Sequence, residues 1–309
     1  MAETLLPNRY NQKSFFICDV FDSFKDDIAS MEHPVFSLSK KPDHRMLVYE
    51  KNGNTIKIKP SYTGLATIFD KDILLYLASA LISAKNSGGG ISKTVRFTTY
   101  DYIVSTNKAL GGMQYKQFQE GLERLKGTVI NTNIKTNGQE ITEEFGLIDK
   151  WKTVKDDDNG KVLAVEVVLS DWFYNSIIGN AVLSIDRDYF RLRKPIERRL
   201  YELARKHCGN QMTWKIKLDN LQGKLGVISP LRKLRFSMKE IAETNHLPEY
   251  NISMEDDVVM FTRKEPPKDN KSVTLLVKPI SKKDIEKVAR PGETYDQVAD
   301  RLKKLRASL

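Results

Sequence analysis

The 309-residue chain has few of the features that mark secreted, membrane-spanning or metal-binding proteins. Its two cysteines, Cys18 and Cys208, are too few for a disulfide framework and too far apart for a metal or redox motif. No apolar run approaches the roughly 20 residues of a spanning helix, and the first residues lack the basic and apolar parts of a signal peptide. We therefore expect a cytoplasmic protein with no membrane partner.

Sequence signatures of catalysis are also absent. The run from Gly88 to Thr94 resembles a phosphate-binding loop, but Ser87 and Ser92 occupy the places of both required glycines. No two of the four histidines are separated by a single residue, so the metal-binding pair of rolling-circle nickases is missing. The segment 156–160 places its glycine one residue too early for a calcium loop. We expect no enzymatic activity, no cofactor and no bound metal.

Positive charge is the most informative feature that the sequence does have. The chain carries a net charge of +10 and has a pI near 9.3, and this excess is concentrated between Arg187 and Lys239. That window holds 15 lysines and arginines against 4 acidic residues, while the rest of the chain is close to neutral. A concentrated cationic surface is typical of proteins that bind nucleic acid.

Hydrophobic periodicity predicts the same order of elements twice. In the first half a helix begins near Asp70, Thr98 or Thr99 caps a short helix, and a glycine turn at Gly111-Gly112 leads into a third helix. In the second half helices are predicted over 195–208, 219–225 and 230–245, with strands over 214–218, 252–254 and 258–262. Helix, strand, helix, turn, helix and hairpin is the order of a winged helix-turn-helix.

The predicted fold class is therefore α+β, with two winged helix-turn-helix domains in tandem. An irregular segment with a hairpin around Asn52-Gly53 is expected over residues 1–60. The first winged-helix domain is expected over 61–182 and the second, strongly basic one over 183–265. Residues 266–309 are predicted to form a linker and an amphipathic C-terminal helix, which suggests self-association or docking on a neighbour.

The helix over 230–245 carries the predicted DNA-reading face. Arginine can bond to guanine with two hydrogen bonds, lysine suits phosphate, and an aromatic ring can contact a thymine methyl group or the backbone. The candidates on this helix are Arg232, Lys233, Arg235, Phe236 and Lys239. The alternative is a solvated basic face on an ordinary helix.

Two further groups of residues are candidates for DNA contact. Positively charged residues cluster at the start of the predicted helix at Pro195. Positive charge at a helix N-terminus opposes the helix dipole, so a purely structural role is unfavourable for these residues. These phosphate-binding candidates are Arg191, Arg193, Lys194, Arg198 and Arg199, with local pairing to acidic residues as the alternative. The outer face of the predicted first-domain reading helix adds Lys116, Gln117 and Arg124.

Long stretches of the chain resemble one known family. The stretches are FFICDVFD (15–22), KDDIASMEHPVFSLS (25–39) and DYFRLRKPIERRLYELARKHCG (188–209), extended by FGLID (145–149) and LSDW (169–172). They are similar to the replication initiator protein A family of bacterial plasmids, and the resemblance covers about residues 8–250. It implies a plasmid initiator that binds repeated sites in the double-stranded DNA of the origin and helps to open the duplex. It also implies recruitment of the host initiator and replicative helicase machinery, repression of its own gene, and a homodimeric form.

Three other functions remain compatible with the sequence. A transcriptional repressor would need the same fold and the same DNA chemistry without a replication role. An origin-nicking or nucleotide-hydrolysing enzyme would have to work without the motifs that such enzymes usually carry. An interaction scaffold would use the predicted helix within residues 280–309 to bind a partner or a second copy.

Overall fold

The computed structural model describes residues 5–10, 15–18, 35–51, 54–86, 91–136, 139–155, 162–179, 182–208 and 211–265. Several sequence predictions fall outside these ranges. They are the linker and helix of residues 266–309, the glycines of the run that resembles a phosphate-binding loop, the turn at 52–53 and the segment 156–160.

Six of the seven α-helices of the described residues agree with the predicted ones, and the fourth is the exception. The seven helices are α1 (Lys71–Asn86), α2 (Thr99–Ser105), α3 (Gly112–Gly127), α4 (Asp171–Gly179), α5 (Pro195–Cys208), α6 (Leu218–Leu225) and α7 (Leu231–Thr244). The predicted cap of α2 is confirmed, because the Thr98 hydroxyl accepts a 3.0 Å hydrogen bond from the Asp101 amide. The start predicted near Asp70 is confirmed by α1, whose first residue is Lys71.

The strands of the described residues all pair antiparallel. Their bounds are β1 (Phe15–Cys18), β2 (Leu47–Lys51), β3 (Asn54–Lys59), β4 (Thr94–Phe97), β5 (Val129–Thr136), β6 (Gln139–Gly146), β7 (Ile148–Lys155), β8 (Val162–Leu169), β9 (Val182–Ile185), β10 (Thr213–Lys217), β11 (Tyr250–Glu255) and β12 (Val258–Arg263). They form sheets in the orders β1-β9, β2-β3-β5-β6, β4-β8-β7 and β10-β12-β11.

One arrangement of elements occurs twice in this structure. The first unit runs α1, β4, α2, α3, β7 and β8, and the second runs α5, β10, α6, α7, β11 and β12. In each unit the strand after the first helix pairs with the last strand, which in turn pairs with the strand before it. The first unit differs by the insertion of β5 and β6 between α3 and β7, and these strands join β2 and β3 in the four-stranded sheet.

Each unit has its own hydrophobic core. The first core collects residues between Val35 and Ile177, including the buried face of α1 and the inner residues of β8. The second collects residues between Ile185 and Phe261 and is joined by Leu75 of α1. Since burial of apolar side chains is the main driving force of folding, two cores on one chain make two packed units that share the helix α1.

The fold is thus a mixed α and β structure with antiparallel sheets, as the predicted α+β class requires at this level. Four elements were not predicted, namely β1, β6, β9 and α4. The sequence predicts a single strand over 145–154, whereas the structure divides this region between β6 and β7, which meet at Leu147. Within the described ranges, no helix has both the length and the apolar character that a membrane crossing would require.

Candidate nucleic-acid interface

Helix α7 separates into a buried face and an exposed face, as its sequence predicts. Leu234, Met238 and Ile241 are buried in the second core at helical spacing. The helix ends where Asn245 adopts the left-handed conformation (φ 44°, ψ 43°), which asparagine tolerates better than most residues. The opposite face points to solvent, with the exposed residues Arg232, Lys233, Phe236, Lys239, Glu240 and Glu243.

The cations on this face are available to a partner. Arg232, Lys233 and Lys239 are exposed, and they form no ion pair or hydrogen bond with the described residues. The pKa of the Asp257 carboxyl is lowered by the Arg235 hydrogen bond and also by the charge of Lys239. Phe236 lies among them with 66% of its surface exposed, so its ring contributes little to the core. In the turn before the helix, Ile228 is 81% exposed. Solvent-facing apolar side chains beside cations suit a surface that is covered by a ligand.

Arg235 is held by the turn between β11 and β12. Its Nε donates to Asp257 Oδ1 and its Nη2 donates to Asp257 Oδ2, both at 2.6 Å, so the two groups form a bidentate pair. The hydrogen bond from Arg235 lowers the pKa of the Asp257 carboxyl below its ordinary value. Arg235 is therefore oriented by Asp257, which the sequence analysis did not single out.

The structure corrects the prediction that Arg198 binds phosphate. The side chain of Arg198 is only 3% exposed, and its Nη1 donates to Asp72 Oδ1 of α1 at 2.6 Å. Its Nε donates to the Leu192 carbonyl, and its guanidinium lies over the Phe69 ring at 4.5 Å. Burial opposes the charge of Arg198, but the Asp72 carboxylate outweighs this effect and the pKa of the guanidinium is raised. Arg198 joins the two units and cannot reach DNA.

Two more cations of the α5 start are occupied inside the molecule, contrary to the prediction. Arg191 Nε donates to the Leu6 carbonyl at 2.5 Å and its Nη1 lies 3.0 Å from Asp188 Oδ2. Arg199 Nε donates to the Lys224 carbonyl, and its Nη1 reaches Glu202 at 3.4 Å. These contacts satisfy main-chain carbonyls and carboxylates within the fold. Arg191 and Arg199 are thus paired within the fold, which is the alternative that the sequence left open.

The remaining candidates at this helix start are less enclosed. Arg193 is exposed and forms no hydrogen bond or ion pair with the described residues. Lys194 is half-buried at the residue before α5 and has an interaction within the fold. Of the five predicted cations in this group, Arg193 is thus the one whose charge is directed to solvent.

The first-unit helix α3 presents a more neutral face than α7. Lys116 and Gln117 are exposed as predicted, but Lys116 lies 3.9 Å from Glu120 one turn along the helix. Arg124 is withdrawn from solvent, because its Nε and Nη2 donate to the two Asp70 oxygens at 2.8 Å. These hydrogen bonds raise the pKa of the Arg124 guanidinium. The prediction that Arg124 contacts DNA is therefore corrected: it fixes α3 to the start of α1.

Sequence comparisons assign the chain to a family. Residues 25–252 match the family described as Replication initiator protein A. The chain belongs to this family. A relative from Wigglesworthia glossinidia brevipalpis, whose name assigns it to replication, is 42% identical over 260 residues, which cover 82% of this chain and 94% of the relative. The predicted membership of the initiator family is thereby confirmed, and a role in replication initiation is supported.

Solved structures similar to this initiator show its fold. Two crystal structures of domains 2 and 3 of RctB, one of them of a selenomethionine derivative, each superpose with a TM-score of 0.54 at 12% sequence identity. The matches cover 75% and 77% of this chain and 96% and 97% of the RctB chains. The likeness extends over both units, so the two units together form an architecture that other proteins share.

Sequence reasoning about this initiator missed the acidic partners of its arginines. Asp70, Asp72 and Asp257 hold Arg124, Arg198 and Arg235 respectively. For Asp257 a signal was present, because two consecutive aspartates between the predicted strands indicate a tight hairpin beside the reading helix. For Asp72 the sequence holds no such signal, since its partner lies 126 residues away.

Proposed function

We propose that the protein initiates plasmid replication by binding repeated sites at the origin through two winged helix-turn-helix domains. The recurring element order and strand order support this reading, because they are those of a winged helix. In that reading α3 and α7 enter major grooves, and the hairpins β7-β8 and β11-β12 are the wings that approach the flanking backbone.

The single observation that carries the proposal is the exposed cationic face of α7. Arg232, Lys233 and Lys239 point to solvent, whereas Arg124, the arginine of α3, is turned onto Asp70. A phosphate backbone attracts the face with the larger excess of positive charge. We therefore assign most of the binding energy to the second domain, and the base contacts to Arg232, Arg235 and Phe236.

Membership of the initiator family supports a more specific role. We propose that binding helps to open the origin duplex and recruits the host initiator and helicase machinery in the bacterial cytoplasm. We further propose that the protein represses its own gene, forms a homodimer, and acts on DNA without catalysing a reaction.

The first experiment measures where the protein binds. We expect a footprint of repeated sites on the DNA that flanks the gene, with affinity for that duplex at least 1,000-fold above a random duplex at physiological salt. A fluorescence anisotropy titration of both duplexes at the same ionic strength gives the ratio. Equal affinities would refute sequence-specific binding.

The second experiment separates the initiator from its rivals. A plasmid that carries only the gene, its flanking repeats and a selectable marker is expected to replicate in a host that supplies the replication machinery. Binding and repression without plasmid maintenance would favour a transcriptional repressor. A covalent protein–DNA adduct, or ATP hydrolysis stimulated by DNA, would instead favour an enzyme.

A further inference from the structure

The turn between β11 and β12 is built to hold its position. Asp256 and Asp257 form a two-residue connection with φ of 43° and 59°, the left-handed pair that suits a tight hairpin turn. The Asp257 carbonyl accepts a 2.8 Å hydrogen bond from the Leu218 amide at the start of α6. Its carboxylate accepts both bonds from Arg235 of α7. One residue thus ties the hairpin to two helices.

The pairing with Asp257 uses only one of the two hydrogen-bonding edges of the Arg235 guanidinium. A guanidinium has five N–H groups in a fixed plane, and Asp257 occupies only the side edge, formed by Nε–H and one Nη2–H. The end edge, formed by Nη1 and the other Nη2–H, bonds to no group within the described residues. That end edge presents two parallel donors, which match the O6 and N7 acceptors of guanine.

We propose that Asp257 is a positioning residue that holds Arg235 for end-on recognition of one guanine, an inference that rests on the proposed function. A free arginine side chain would lose its rotamer freedom on binding, and Asp257 imposes that loss during folding instead. Placing a carboxylate beside Arg235 has an electrostatic cost for DNA binding. The Asp257 carboxylate lies at the tip of a wing that approaches phosphate, so it weakens binding to every sequence.

Asp257 is therefore expected to have opposite effects on two measured quantities, the affinity for random duplex and the discrimination at the guanine. Loss of the carboxylate raises affinity for random duplex, because one repelling charge is removed. The same loss lowers discrimination at the guanine, because Arg235 is no longer held in one orientation. A purely structural aspartate would not couple these two effects to a single base.

The test compares Asp257→Asn with Asp256→Asn, which removes the same charge from the same turn. Asparagine tolerates the left-handed conformation at both positions. Asp256 is exposed, and the hydrogen bonds of Arg235 go to Asp257 and not to Asp256. The probe is the footprinted origin duplex in which each guanine in turn is replaced by 7-deazaguanine, which lacks the N7 acceptor. We expect wild type and Asp256→Asn to lose about 10-fold in affinity at one guanine. We expect Asp257→Asn to lose less than 2-fold at that guanine.

Two further variants keep the result decisive. Asp257→Glu retains the charge and is expected to restore part of the discrimination, and Arg235→Lys, which lacks the fork, is expected to lose it although its charge is unchanged. If Asp257→Asn discriminates as well as Asp256→Asn, or if no guanine matters to the wild type, the positioning role is wrong while origin binding stands. If the wild type does not prefer origin DNA at all, the proposed function itself fails.

Discussion

Replacing Asp72 by asparagine is expected to lower the free energy of unfolding by about 3–5 kcal/mol, the usual cost of breaking a buried ion pair from one side. Asp72 is fully buried and accepts from Arg198 Nη1 at 2.6 Å and from Lys108 Nζ at 2.7 Å. Its loss leaves the Arg198 charge in the interior between Phe69 and Tyr189 without a counter-charge. Urea denaturation followed by circular dichroism measures the change.

A matched control and a second variant make this prediction specific. Lys59 and Glu144 also form an ion pair, at 2.6 Å, but both side chains are about half exposed, and Lys59→Ala should cost well under 1 kcal/mol. Combining Asp72→Asn with Arg198→Met removes both buried charges and should recover part of the loss. If Asp72→Asn costs no more than Lys59→Ala, the buried pair does not hold the two units together.

The helices and strands of the second unit follow from the sequence because local signals agree there. Pro195 suits the first turn of α5, Gly226 provides the left-handed end of α6, and apolar residues mark the buried face of α7. These features act within one or two turns of the chain. They therefore predict where elements begin and end without knowledge of the tertiary contacts.

Strand β6 and helix α4, which the sequence does not predict, depend on contacts from distant parts of the chain. Strand β6 contains Glu140, Glu143 and Glu144, which are unfavourable in strands, and it is formed by full pairing with β5. Helix α4 contains aromatic and β-branched residues with weak helix propensity, and burial of Phe173 and Ile177 in the first core stabilises it. Local sequence patterns do not report such tertiary effects.

In the candidate DNA-binding surface, too, some features follow from the local sequence and others depend on tertiary contacts. Exposure of Arg232, Phe236 and Lys239 follows from the helical period alone, because the buried face of α7 is plain in the sequence. The enclosure of Arg198 does not, since a count of cations in a window cannot tell a solvent-facing charge from one that bonds to Asp72. The charge excess between 187 and 239 therefore overstates how much positive charge the second unit presents to DNA.

If α7 lies in a major groove, removing two of its exposed lysines should change the salt dependence of binding more than removing two exposed lysines from the β-sheets. Each phosphate contact contributes about 0.9 to the slope of log affinity against log salt concentration, so Lys233→Ala combined with Lys239→Ala should reduce that slope by about 2. Affinity for origin and random duplex should fall together, roughly 10-fold or more at low salt, because phosphate contacts carry no base preference.

The matched control combines Lys57→Ala on β3 with Lys215→Ala on β10, exposed positions at which the same net charge is removed. Anisotropy titrations between 50 and about 300 mM salt should leave the control slope near that of wild type. Equal slopes for the two double variants would show that net charge, and not the α7 face, governs DNA binding.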